Sequence, residues 1–128
     1  MRHDERGSVS ALVVGLLMSF VACAGLAVDG GRVISAKVRV SDEAENTARI
    51  GAQAVKNMRL GVPVVDDSRA IRIARDFLGS LGAAGVVSAS RLEVCVLVRE
   101  TVPMTLLSLV GVGSREVATR RCARPITE

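Results

Sequence analysis

Between positions 8 and 28 the chain carries no charged residue, and from Arg32 to Arg59 charges return every few positions. An α-helix rises about 1.5 Å per residue, so residues 9–28 span roughly 30 Å, the hydrocarbon thickness of a bilayer. Soluble core helices rarely hold so long an uncharged run, and the segment predicts a single transmembrane helix. Small residues recur within it at Ala11, Gly15, Ser19, Ala22 and Gly25. Their spacing of three and four sets several on one face, where a second helix can approach closely. The same residues equally suit an ordinary Ala-rich helix.

A signal peptide is the competing reading of this stretch. Arg2 and Arg6 make a basic start, residues 12–21 an apolar middle, and Ala22-Cys23-Ala24 an A-x-A site that would release Gly25 as a new terminus. The residues before Cys23 also match a lipoprotein box loosely, with Phe20 where Leu is usual. Against cleavage, the apolar run continues through Leu26, Ala27 and Val28, and the next thirty or so residues keep a helical pattern. Arg2 and Arg6 on one flank are balanced by Arg32, Lys37 and Arg39 on the other, so charge alone does not orient the helix. A tail of residues 1–8 is more easily left in the cytoplasm while a body of residues 29–128 is exported.

From 32 to 59 there is no proline, and Ile34, Val38, Ser41, Ala44, Ala48, Ala52 and Val55 recur at three- and four-residue steps. This predicts a helix with a narrow, small-residue stripe, continuous with the anchor across Gly30-Gly31. One unbroken helix of about 50 residues would be roughly 75 Å long. Gly61 and Pro63 stop it. Asp66 and Asp67 then offer an N-cap for a helix over 68–81, with Ala70, Ile71, Ala74, Phe77, Leu78 and Leu81 on its apolar face and Gly82 at its end.

After Gly85 the period changes to two. Residues 85–90 read as a short strand. In 91–101, Leu92, Val94, Val96 and Val98 alternate with Glu93, Cys95, Leu97 and Arg99, as in a half-buried strand. Residues 115–125 make a third. Two helices followed by three strands give an α+β fold with a small three-stranded antiparallel sheet. If the last two strands pair with Cys95 opposite Cys122, then Val98 faces Thr119, Glu100 faces Val117, and Glu93 faces Arg124. One register thus aligns both cysteines and an opposite-charge pair. A disulfide there would be worth roughly 3 kcal/mol in the chain-entropy model and would require an oxidising compartment. Two unrelated buried thiols are the alternative. Between these strands lies "PMTLLSLVGVG", where Met104, Leu106, Leu107 and Leu109 are many hydrophobes for one loop. It is either a helical turn tucked onto the sheet or a patch that touches the membrane or a partner.

Composition narrows the function classes. The net charge of +4 comes from arginines scattered among acids, without a basic block or aromatic platform, which argues against nucleic-acid binding. The only histidine, His3, lies in the N-terminal tail, so the body holds no Ser-His or Cys-His pair and few metal-ligand options. No residue set suggests an enzyme, a cofactor, a metal or a small-molecule substrate. The body has one aromatic, Phe77, for its core, which calls for support from a bilayer, a disulfide or a partner.

Residues 5–55, "ERGSVSALVVGLLMSFVACAGLAVDGGRVISAKVRVSDEAENTARIGAQAV", resemble the TadE/TadG-like proteins of Flp (tight-adherence) pilus assembly, particularly the short actinobacterial form. They share the Arg-Gly opening, the single anchor, the "VDGGR" exit and the small-residue helix, and "VCVLVRETVP" before a Gly-rich apolar loop is similar as well. The resemblance implies a pilin-like arrangement in a bitopic, non-catalytic protein, N-terminus in the cytoplasm and body outside. Its expected partners are other pilus-assembly membrane subunits or pilin, besides the lipid bilayer. Prepilin peptidases cut after Gly in G-x-x-x-x-E, and five residues after Gly7 stands Leu12. An uncleaved anchor is therefore expected; the alternative is a secreted or lipid-anchored disulfide protein cut near Ala24.

Overall fold

The computed structural model describes residues 5–57, 59, 61 and 63–126. Residues 1–4 of the expected tail, with Arg2 and His3, lie outside the described residues. Helix α1 (Glu5–Ala52) is one unbroken helix of 48 residues, about 72 Å long. Gly30 and Gly31 do not interrupt it, and a side chain on either would meet nothing within 4 Å. Most of its first half, residues 8–24, stands exposed: Leu12, Leu16, Met18 and Phe20 are all at least 60% exposed. This helix is long and apolar enough to cross a membrane, with a mean hydropathy of 2.5 in its most apolar window.

The second half of α1 is the spine of a small head. Ala36, Val40, Ala44, Ala48 and Ala52 are buried at four-residue steps, joined by Thr47 and Gly51. These side chains are short, so the helix axis lies close against what covers it. The expected stripe is correct at Ala44, Ala48 and Ala52; Ile34 and Val38 before them are 66% and 56% exposed, and Val55 after them lies beyond the helix, half-buried in a strand. At about 100° per residue, Ile34 and Val38 sit well round the helix from Val33, Ala36 and Val40. They border a groove shared with Phe77 and Leu81 of the second helix rather than the sheet.

Helix α1 ends at Ala52, short of the stop expected at Gly61 and Pro63, and a short ladder follows. Strand β1 (Val55–Lys56), inside the span expected to be helix, pairs antiparallel with β2 (Val64–Val65) in the expected connection. Helix α2 (Asp67–Leu81) starts where Asp66 accepts a hydrogen bond from the Arg69 amide, and ends at Gly82 in the left-handed conformation (φ 67°). Its buried residues are Ala70, Ala74 and Leu78. Strands β3 (Ala84–Ala89), β4 (Val94–Pro103) and β5 (Ser114–Ala123) form an antiparallel sheet in that order, completing the expected α+β fold. The register is the one expected, with Cys95 opposite Cys122, Val98 opposite Thr119 and Glu100 opposite Val117. Val94, Val96 and Val98 turn inward at 0–1% exposure. Leu92 departs from the expected alternation and is exposed, because residues 90–93 form a turn in which Ser90 Oγ accepts from the Leu92 and Glu93 amides.

Three contacts lay the sheet along α1. Arg39 bonds Glu100, Arg121 bonds Ser41 Oγ at 2.8 Å, and a Cβ on Gly51 would sit 3.0 Å from Val94 Cγ1. The helix therefore runs antiparallel to β4, with the part nearer its exposed apolar half beside the end of β4 at Pro103. Gly85 has a similar packing duty where α2 crosses β3. A Cβ there would fall 2.6 Å from the Leu97 carbonyl oxygen and 3.3 Å from Leu78 Cδ1. Gly85→Ala is expected to cost roughly 1–3 kcal/mol through overpacking. Gly79→Ala, with open space at its Cβ and a helical position, should be neutral or stabilising. Urea denaturation of the two variants checks this, and an unchanged midpoint for Gly85→Ala would contradict it.

Candidate functional site: a carboxylate clamp where the free half of the helix ends

The segment joining β4 to β5 folds back onto α1. It contains a 3-10 turn (Leu107–Val110) that ends at Gly111 with φ 91°, a left-handed conformation that favours glycine. Asp29 of α1 is completely buried beneath this segment. Its Oδ1 accepts from the Thr105 amide at 3.0 Å, and its Oδ2 accepts from the amides of Leu106 at 2.9 Å and Leu107 at 2.7 Å. Three successive backbone N–H groups at the start of a helical turn form a cradle for negative charge. The Leu107 amide does most to hold the Asp29 carboxyl below the usual carboxylate range, and the Thr105 and Leu106 amides and the Arg32 charge add to it against the opposing effect of burial. Arg32, one turn further along, bonds the Thr105 hydroxyl.

Apolar contacts reinforce the clamp. Gly25, one turn before Asp29, is buried by the loop, and a Cβ there would lie 3.3 Å from Leu106 Cβ and 3.6 Å from Leu107 Cδ2. The turn is therefore tucked onto the helix, not onto the sheet, because the carboxylate that satisfies its amides stands on α1. The four hydrophobes singled out in this loop divide. Met104 is buried, Leu106 and Leu107 are half-buried, and Leu109 is 76% exposed beside Val110 at 73%. Among the small residues of the uncharged segment, Ala11, Gly15, Ser19 and Ala22 are exposed, while Gly25 is occupied by the molecule's own loop. Ser19 Oγ bonds back to the Gly15 carbonyl at 2.9 Å.

Asp29 is the residue that sequence reasoning passed over, quoted only within "VDGGR". A usable signal was present. The first carboxylate after a long uncharged run stands on a helix whose own amides are already bonded, so it must seek donors elsewhere.

At the other end of the sheet Cys95 and Cys122 form a disulfide, with Cα atoms 4.0 Å apart on directly opposed residues. Arg124 lies 3.6 Å from Glu93 beside it, the charge pair expected from the register. The ligand atoms of Glu93, Cys95 and Cys122 lie within 4.8 Å of one another, but the bonded sulfurs leave no thiolate for a metal ion. An open cleft of about 860 Å³ between α1 and the end of β5 is lined by Glu45, Arg49, Gln53 and Arg121. Its Glu45 and Arg49 are engaged with each other. Neither place pairs a nucleophile with a base.

Residues 7–54 match a family model described as "Putative Flp pilus-assembly TadE/G-like". The match covers nearly all of α1, including Gly25 and Asp29, and stops before α2 and the sheet. No curated protein and no solved structure matches the chain significantly.

Proposed function

We propose, from the match of α1 to the pilus-assembly family, that this chain is a membrane-anchored, non-catalytic component of a Tad/Flp-type pilus assembly or secretion system. Residues 9–28 cross the bilayer, residues 1–8 remain cytoplasmic, and residues 29–128 stand outside. The observation that carries the reading is that the matched segment is a single rigid helix. Its free half suits a bilayer and its other half is the spine of the head. The disulfide supports export, because such bonds persist in oxidising compartments.

In this role the chain works by presenting surfaces. The exposed small-residue face at Ala11, Gly15, Ser19 and Ala22 admits close approach of a neighbouring transmembrane helix. Above the membrane, the groove bordered by Ile34, Val38, Phe77 and Leu81 offers apolar surface rimmed by Arg39 and Asp42 to a pilin or another assembly subunit. Deleting the chain in its host should deprive cells of Flp-type pili, visible by negative-stain microscopy, with recovery when the full chain is restored. Undiminished piliation would overturn the reading. Gly15→Ile should weaken the anchor's helix contacts while leaving the head's unfolding midpoint within about 0.5 kcal/mol of the parent, since it is exposed and remote from the core.

A further inference from the structure

We infer that the loop between β4 and β5 is a second membrane anchor, a monotopic wedge whose Leu109, Val110 and Val112 enter the outer leaflet beside α1. This rests on the reading of residues 9–28 as the membrane span. The geometry then leaves the loop little choice of solvent. Leu106 and Leu107 pack on Gly25, which lies within the uncharged run, three residues before its end. Leu106 and Leu107 thus share the depth of Leu26 and Val28, which are themselves 63% and 50% exposed, and Leu109 and Val110 follow them by two or three residues. Whatever surrounds those helix side chains also surrounds Leu109 and Val110.

The chemistry of the loop fits hydrocarbon. Residues 103–114 carry no charge. Polar backbone in lipid must be satisfied internally, and this loop does so to an unusual degree. The Thr105, Leu106 and Leu107 amides bond Asp29, Met104 bonds Gly113, Leu109 bonds Leu106, Gly111 bonds Ser108 and Val112 bonds Leu107. The Ser108 hydroxyl is turned back to the Thr105 carbonyl at 2.6 Å. Asp29 thereby serves two purposes: its own charge is compensated at the membrane boundary, and the amides it covers need no water. Arg32, one turn higher, sits at the level where a guanidinium meets lipid headgroups. Two insertions side by side would fix the tilt of the head on the bilayer, which a lone helix crossing cannot do.

The test uses the full chain with Cys23→Ser, so that one introduced thiol carries an environment-sensitive fluorophore. Three positions are compared: Phe20→Cys in the span, Leu109→Cys at the tip, and Leu92→Cys in the turn at the far end of β4, about 30 Å away along a strand of this length. Each variant is reconstituted into phosphatidylcholine–phosphatidylglycerol vesicles containing lipids with a nitroxide near the headgroup end of the acyl chain or, in a parallel preparation, near its methyl end, because Phe20 lies close to the middle of the span. Quenching at Phe20 and Leu109 but not at Leu92 is the expected result. Quenching at Phe20 alone overturns the wedge and leaves the anchor standing, whereas no quenching at Phe20 overturns both. Blue-shifted emission at Leu109 without lipid quenching would mean that a protein surface, such as a second copy of the chain, covers the tip, and would also overturn it.

Discussion

Asp29→Ala is expected to strip protection from the amides of Thr105, Leu106 and Leu107, accelerating their hydrogen exchange on the order of tenfold or more while the strands keep theirs. Removing the acceptor leaves three donors without partners in a covered site, which is costlier than never having made the bonds. The loop must then lift from Gly25 to reach water. Asp29→Asn should recover only part of the protection, because its NH₂ group would oppose the amides that one carboxylate oxygen now accepts. Acid acts in the same direction. The folded-state pKa of Asp29 is depressed, so its contribution is present above the ordinary value of 3.8 and is lost as pH falls through the lower folded value. Exchange at 105–107, corrected for its intrinsic pH dependence, should be flat from neutrality to about pH 5 and rise only in stronger acid. Wild-type exchange at these three amides in Asp29→Ala would refute the clamp.

The disulfide carries the second large effect. It closes a loop with a sequence separation of 27 that contains most of β4, the 3-10 turn and β5. In the chain-entropy model this is worth roughly 3 kcal/mol. For a head of this size each kcal/mol moves Tm by about 4–8 °C, so Cys95→Ala/Cys122→Ala should melt roughly 12–24 °C lower in detergent. The loss should be read in the sheet first, since β5 is an edge strand held mainly by β4 and α1. A double variant melting within about 2 °C of the parent would show that packing on α1 suffices without the bond.

These two features show what patterning can and cannot disclose. The uncharged run, the unbroken helix and the β4–β5 register follow from one-dimensional signals: charge spacing, absence of proline and a period of two. The disulfide was legible because the alignment of two cysteines also placed Glu93 across from Arg124. The buried face of α1 was legible only in its second part. Ala44, Ala48 and Ala52 are small and unambiguous, whereas Ile34 and Val38 look like core until the sheet is seen to choose the Ala36–Val40 side. Large apolar residues attracted the stripe, but close helix–sheet approach selects small ones. That Asp29 needs donors was legible, but which ones was not, because it meets them 76 to 78 residues later and no local pattern encodes that meeting.

The continuous helix as a retained anchor is tested most directly by the intact mass of the protein extracted from membranes. A mass that still includes residues 2–24, two hydrogens lighter than the fully reduced chain, is the expected result. A chain beginning at Gly25 would contradict it by removing the anchor, and one beginning at Ser8 would show that pilin-type processing takes place despite Leu12.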